Sequence, residues 1–176
     1  AQSGVDLDPE QSTTADFEAA VGKAGVRAVP ALFWTASCLS NWINQNRDSP
    51  AGIAELASAA TMMRRVLELD ESFYHGGAHI FFGVYYGGRS PMFGGDFARS
   101  EEHFRRAAEI NDDRLLLVDV LYAEYLARQR LDRDAFRSRL TRVTGAPADL
   151  YPEMALANEV ARVRAAALLE HEDDWF

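Results

Sequence analysis

One octapeptide pattern is written twice in this chain, and it constrains the fold more than any other feature. Met63-Arg64-Arg65-Val66-Leu67-Glu68-Leu69-Asp70 aligns on Phe104-Arg105-Arg106-Ala107-Ala108-Glu109-Ile110-Asn111 at an offset of 41. A second alignment, Arg99 onto Asp132 and Ile110 onto Val143, runs at an offset of 33. Self-similarity at such a period belongs to stacked helix pairs, because one pair cannot bury its apolar face alone and needs a neighbour to cover it.

The shorter offset is close to the roughly 34-residue tetratricopeptide period, and the longer one exceeds it by about seven residues, the size of one loop. The expected fold is therefore all-α: tetratricopeptide-like helical hairpin repeats, about eight helices. Residues 29–176 form the repeat domain, and residues 1–28 form an N-terminal segment holding a short helix. Local signals place the helices. Ala1 to Ser12 is polar and reads as loose; Thr13 with Asp16 three residues on predicts a capped helix over 15–23. Pro30 opens a second helix ending near Asn46, and Ser49-Pro50 caps a third whose stripe Ile53, Leu56, Ala60, Met63, Val66, Leu67 is a core face. A fourth over 72–86 is apolar nearly all round and should be enclosed by other helices. Gly95 or Asp96 caps a fifth; a sixth runs over 114–129; Asp132 caps a seventh that Gly145 and Pro147 stop; Pro152 starts the last, to about Glu170.

Between the fourth and fifth helices lies Gly87-Gly88-Arg89-Ser90-Pro91-Met92-Phe93-Gly94-Gly95. A loop longer than the repeat demands is more often functional than structural. Arg89, Pro91, Met92, Phe93, Gly94 and Gly95 are therefore candidates for binding a partner.

The fourth helix carries Gly76, Gly83 and Gly87 on one stripe, with Ile80 between them. Each mid-helix glycine costs about 1 kcal/mol against alanine, so something must offset it. Either a neighbouring helix packs closely there, or the missing side chains open a slot lined by Phe81, Tyr85 and Trp34 or Trp42, which would suit a small apolar ligand. On the last helix Asn158 is a poor intrinsic helix former. It either hydrogen-bonds a neighbouring backbone or, with Arg164, meets a partner. Glu159 and Arg162 read as an exposed pair of little weight. Arg137, Arg139 and Arg142 read as a solvated face, or as an interface against an acidic partner.

His75 and His79 are four apart, a spacing that places two imidazoles toward one metal, but no glutamate lies between them and no third ligand is spaced to join them. A capping or hydrogen-bonding role is expected instead, and no metal or cofactor. His103 beside Glu101 and Glu102 is expected on a solvated face, and His171 near the end of the last helix suits the dipole. Cys38 is the only cysteine, which excludes an intramolecular disulfide. No Gly-rich phosphate cradle or nucleophile elbow is present, so catalytic residues are expected to be none.

The 176 residues are 48% hydrophobic, enough for a sizeable core. The net charge of −9 disfavours nucleic acid and anionic membrane surfaces. No apolar run approaches the roughly 20 residues needed to span a bilayer.

Five segments in order, Ala31-Leu32-Phe33-Trp34-Thr35-Ala36, Gly76 to Tyr86, Ser90-Pro91-Met92-Phe93-Gly94-Gly95-Asp96, Leu121-Tyr122-Ala123-Glu124-Tyr125, and Leu156-Ala157-Asn158 through Arg164-Ala165 to Asp173-Asp174-Trp175-Phe176, resemble the T-component family. These are tetratricopeptide-like proteins associated with tripartite ATP-independent periplasmic (TRAP) transporters. The resemblance implies a non-enzymatic periplasmic partner, usually a lipoprotein, that docks the transporter's substrate-binding P component and helps relay a ligand to the permease. It also implies a further N-terminal helical region and a lipidated cysteine. Cys38, mid-helix, does not match the lipid-anchor position. The expected partners are thus a TRAP-type substrate-binding protein, a small apolar ligand and a second copy in a homo-oligomer, with membrane contact only through a lipid anchor. The alternative is a cytosolic helical-repeat scaffold that binds a peptide or protein partner. An all-α metalloenzyme using His75 and His79 stands as a third reading.

Overall fold

The computed structural model describes residues 13–46 and 50–176, with residues 50–54 described as backbone alone. The loose Ala1 to Ser12 segment, the Ser49 cap and the Ile53 side chain lie outside the described residues. Within them the chain is all-α, with eight helices and no strand. It divides into two compact units, residues 1–73 and 74–176.

The first unit holds α1 (Thr14–Gly22), a 3-10 turn (Val26–Ala28), α2 (Val29–Gln45) and α3 (Pro50–Asp70). The capping box forms as the sequence predicts. The Asp16 amide donates to Thr13 Oγ1 at 3.2 Å, and the Thr13 amide donates to the Asp16 carboxylate at 3.0 Å. Thr13's bonds hold the Asp16 carboxyl below its ordinary value. Helices α2 and α3 form a hairpin whose core includes Val29, Phe33, Ala36, Ala60, Met63 and Val66. Arg65 on α3 ties down the α1–α2 connection, donating to the Ala24 carbonyl from Nε at 3.0 Å and Nη2 at 2.6 Å.

The second unit holds α4 (Phe73–Gly87, whose first residue closes the first unit), α5 (Phe97–Ile110), α6 (Leu117–Leu121), α7 (Arg133–Gly145) and α8 (Ala155–Glu170). Its core gathers Phe104, Leu116, Val120, Leu126, Phe136, Leu140, Val143, Ala161 and Ala165. Helices α5 and α7 begin at aspartate N-caps, Asp96 bonding the Arg99 amide and Asp132 the Ala135 amide, both at 3.0 Å. The two caps stand three positions further apart than the alignment offset, because Arg99 already lies inside α5 while Asp132 is still a cap.

Two elements depart from the sequence expectation. The sequence places the start of α4 at Ser72, but Tyr74, His75 and Gly76 take left-handed conformations (φ 49°, 60° and 79°), so regular helix begins only after Gly76. The left-handed region costs a residue with a Cβ roughly 1–2 kcal/mol, and the surroundings must over-determine it. Tyr151 and His75 supply one tie, with the Tyr151 hydroxyl 2.7 Å from His75 Nδ1. The expected sixth helix over 114–129 is α-helical only for Leu117–Leu121 and continues as a π-helical turn over Tyr122–Ala127. The Arg128 amide accordingly donates to the Ala123 carbonyl, five residues back, at 3.2 Å, the bond that defines such a turn.

Candidate functional site

Loop 87–95 is built from its glycines upward. The Gly88 amide still donates to the Val84 carbonyl at 2.8 Å, closing α4. Ser90 leads into a 3-10 turn, Pro91–Phe93, and Gly94 then turns left-handed at φ 81°. A Cβ on Gly95 would lie 1.9 Å from the Arg89 carbonyl oxygen, so only glycine fits that close approach. The loop closes on itself through the Gly95 amide to the Ser90 carbonyl (3.0 Å) and on the helix through the Asp96 amide to the Tyr86 carbonyl (3.1 Å). Arg89 pins the base, its Nε donating to the Tyr85 carbonyl at 3.0 Å and its guanidinium lying 3.9 Å from the Tyr85 ring centre, a cation–π contact.

At the tip of this fixed frame Met92 is 90% and Phe93 76% exposed. Burying a Met or Phe side chain is worth about 1.5–3 kcal/mol, so displaying two in water forgoes several kilocalories unless a partner covers them. Ordering the loop in advance lowers the entropy cost of that covering.

The glycine stripe is a packing face. A Cβ at Gly83 would fall 2.7 Å from the Phe104 ring, one at Gly87 2.5 Å from Ser100 Oγ, and one at Gly76 3.3 Å from the Ala107 backbone. Ser100, Phe104 and Ala107 form one ridge of α5 that enters the groove the glycines leave on α4. The Ser100 hydroxyl, fully buried, donates to the Gly83 carbonyl at 2.7 Å. Close packing thus accounts for the stripe, and the space that a slot would need is filled by Phe104 and Ser100. Ile80 packs against the core of the second unit. Phe81 and Tyr85 stack at 5.8 Å. Trp34 and Trp42 belong to the first unit, 46% and 44% exposed, with Trp34 edge-on to Phe33.

The histidines pair in ways their spacing does not reveal. His75 meets Tyr151, whereas His79 Nδ1 lies 2.9 Å from His103 Nδ1, so the two imidazoles four residues apart point to different partners. Among the described residues no group of three or more side chains could hold a metal. His103, expected on a solvated face, stacks with Phe82 and Tyr86 at 5.2 and 5.8 Å. Burial chiefly, then the neighbouring His79, lowers its pKa to about 4, since both disfavour the charged form.

Asn158 is buried and serves the fold. Its Oδ1 accepts the Leu116 amide at 2.9 Å and its Nδ2 donates to the Arg114 carbonyl at 2.9 Å. Helix α8 thereby supplies the polar partner that the start of α6 lacks in its own sequence. Arg164 bonds the Glu124 carboxylate. The arginines expected on a solvated face stay 40–61% exposed, yet each pairs with a buried carboxylate: Arg139 and Arg142 clasp Asp119, whose side chain is 4% exposed, and Arg137 joins Arg133 on Glu172. Burial raises the Glu172 pKa, but the two guanidinium bonds together outweigh it and hold the carboxyl below its ordinary value.

Fold and loop define an all-α protein that holds an ordered apolar tip in solvent. A model of the TRAP transporter T-component family matches residues 1–176, and the chain belongs to that family. A search of curated proteins returns no match. The family gives the chain an accessory role in a TRAP transporter. No described helix is long and apolar enough to cross a membrane.

Proposed function

We propose that this chain is a non-enzymatic, periplasmic, lipid-anchored accessory protein that docks the substrate-binding P component of a TRAP system through loop 87–95. The observation that carries the reading is the ordered loop with Met92 and Phe93 outermost. A flexible loop would fold its apolar residues inward, whereas this one holds them out on a frame fixed by Gly94, Gly95, Arg89 and Asp96. Methionine and phenylalanine are well suited to the task, one adaptable and the other large and rigid. Relay of a small ligand remains part of the proposal through the docked pair, with the glycine stripe acting as scaffold. Calorimetry with the P component of the same transport system tests the docking. Binding that weakens roughly thirtyfold or more in Met92→Ala/Phe93→Ala supports it, and no interaction at high micromolar concentration counts against it.

A further inference from the structure

Helix α2 faces water without a single charge. Its 17 residues, Val29–Gln45, hold no Asp, Glu, Lys or Arg in a chain that is 26% charged. One side, with Val29, Phe33 and Ala36, is buried in the hairpin with α3. The other turns Trp34, Thr35, Cys38, Asn41 and Trp42 outward. Trp34, Cys38 and Trp42, each four residues from the next, fall on one line of that face. The exposed face of α5 carries Glu101, Glu102, Arg105 and Glu109 instead, as a water-facing helix ordinarily does. The serines of α2 turn back on their own helix, Ser37 Oγ donating to the Phe33 carbonyl at 2.8 Å and Ser40 Oγ to the Ala36 carbonyl at 2.6 Å. Such bonds let a hydroxyl enter apolar surroundings without an unsatisfied donor.

Charge at the two ends decides what this face meets. Residues 19–47 contain no acid, although the chain carries 27, and the cations of that stretch are Lys23 and Arg27 before the helix and Arg47 after it. Lys23 and Arg27 are exposed, with Val26, between them in sequence, 62% exposed. The stretch is therefore a local electropositive frame around an uncharged aromatic centre. A second copy would bring cation onto cation in either orientation of the helix. A phospholipid surface matches each part. Phosphates receive the cationic ends, and the indoles suit headgroup depth, where the ring is sheltered and its N–H stays in the wet layer. A helix without charges also escapes the cost of bringing ions to the edge of the hydrocarbon. The net charge of −9 is repelled by an anionic bilayer as a whole, so the acidic remainder turns away and this face alone approaches.

We propose that the outer face of α2 rests on a phospholipid bilayer, the helix lying in the plane of the interface. Trp34, Cys38 and Trp42 point toward the acyl chains, and Lys23, Arg27 and Arg47 meet lipid phosphates. The contact is reversible, half-complete on the order of 0.1 mM accessible lipid, about the strength of a single acyl chain.

Flotation of the unlipidated chain with vesicles tests this without the P component or an anchor. On zwitterionic and anionic phospholipid mixed about three to one, the wild type should float, and lipids brominated on the acyl chains should quench its tryptophan emission. Cys38→Glu, at an exposed position, sets a carboxylate between the two indoles. It should bind at least about tenfold more weakly with an unchanged thermal midpoint. Lys23→Gln/Arg27→Gln should bind about thirtyfold more weakly, and the wild type should lose affinity as salt is raised. A wild type left behind at about 5 mM lipid overturns the proposal. So does a Cys38→Glu variant that floats normally, or flotation without quenching. Protection of α2 by a protein partner in the absence of flotation would assign the face to that partner and overturn it as well.

Discussion

Gly83→Ala separates two opposite expectations for the α4 stripe. As a surface-helix substitution it should stabilise, by about 1 kcal/mol, through alanine's better helix propensity. In this structure the new Cβ would stand 2.7 to 2.8 Å from three atoms of the Phe104 ring. That ring is only 2% exposed, within the core of the second unit, and has no room to retreat. Overpacking of this kind costs about 1–3 kcal/mol, so the net effect is a loss of up to about 2 kcal/mol. Phe104→Leu should relieve the contact, giving a double-mutant coupling of about 1 kcal/mol in the compensating direction. Urea unfolding in a Trp34→Phe/Trp42→Phe background, where Trp175 alone reports on the second unit, measures both values. Stabilisation by Gly83→Ala, or strictly additive effects with Phe104→Leu, would refute the packing argument.

Other outcomes follow from the same structure. His103 is held neutral, with a folded pKa of about 4 against 6.5 unfolded, so the unfolded chain binds the proton first and stability drains away as pH falls from the higher value toward the lower. His79 and Tyr86 on α4 and Glu102 and Arg99 on α5 face this imidazole, and His103→Gln should show a shallower loss of thermal midpoint over that window than the wild type. Asp119→Ala strips the shared acceptor from Arg139 and Arg142. It should cost about 1.5–3 kcal/mol in denaturant unfolding, against near neutrality for a solvated arginine face. Gly95→Ala, which forces the loop away from the Arg89 carbonyl, should weaken P-component binding in calorimetry with little loss of global stability.

Much of the architecture is legible because it is written in local chemistry. The Thr13–Asp16 box, the Asp96 and Asp132 caps, the Gly145 stop and the core face through Ala60, Met63 and Val66 each depend on residues within one or two turns. The glycine stripe is legible as a question with two answers, and it takes the ridge of Ser100, Phe104 and Ala107 to choose between them. What escapes the sequence depends on distant partners. Arg139 and Arg142 find Asp119 across several turns of chain, Arg137 finds Glu172 in the turn that follows α8, and His79 finds His103 on the next helix. No periodicity marks those pairings. Tyr74 and His75 carry no signal for positive φ, and the π-helical turn over 122–127 follows a stretch indistinguishable from ordinary amphipathic helix. In the candidate site, the Gly/Pro loop announces itself by length, but the exposure of Met92 and Phe93 is set by how the loop folds back on Arg89 and Tyr86, which no local pattern marks.

Hydrogen–deuterium exchange on the chain with and without its P component tests the docking account most directly. Protection concentrated on peptides covering residues 89–96 upon addition of the P component is the predicted result. Undiminished exchange there, with protection confined to other segments or absent, would contradict it.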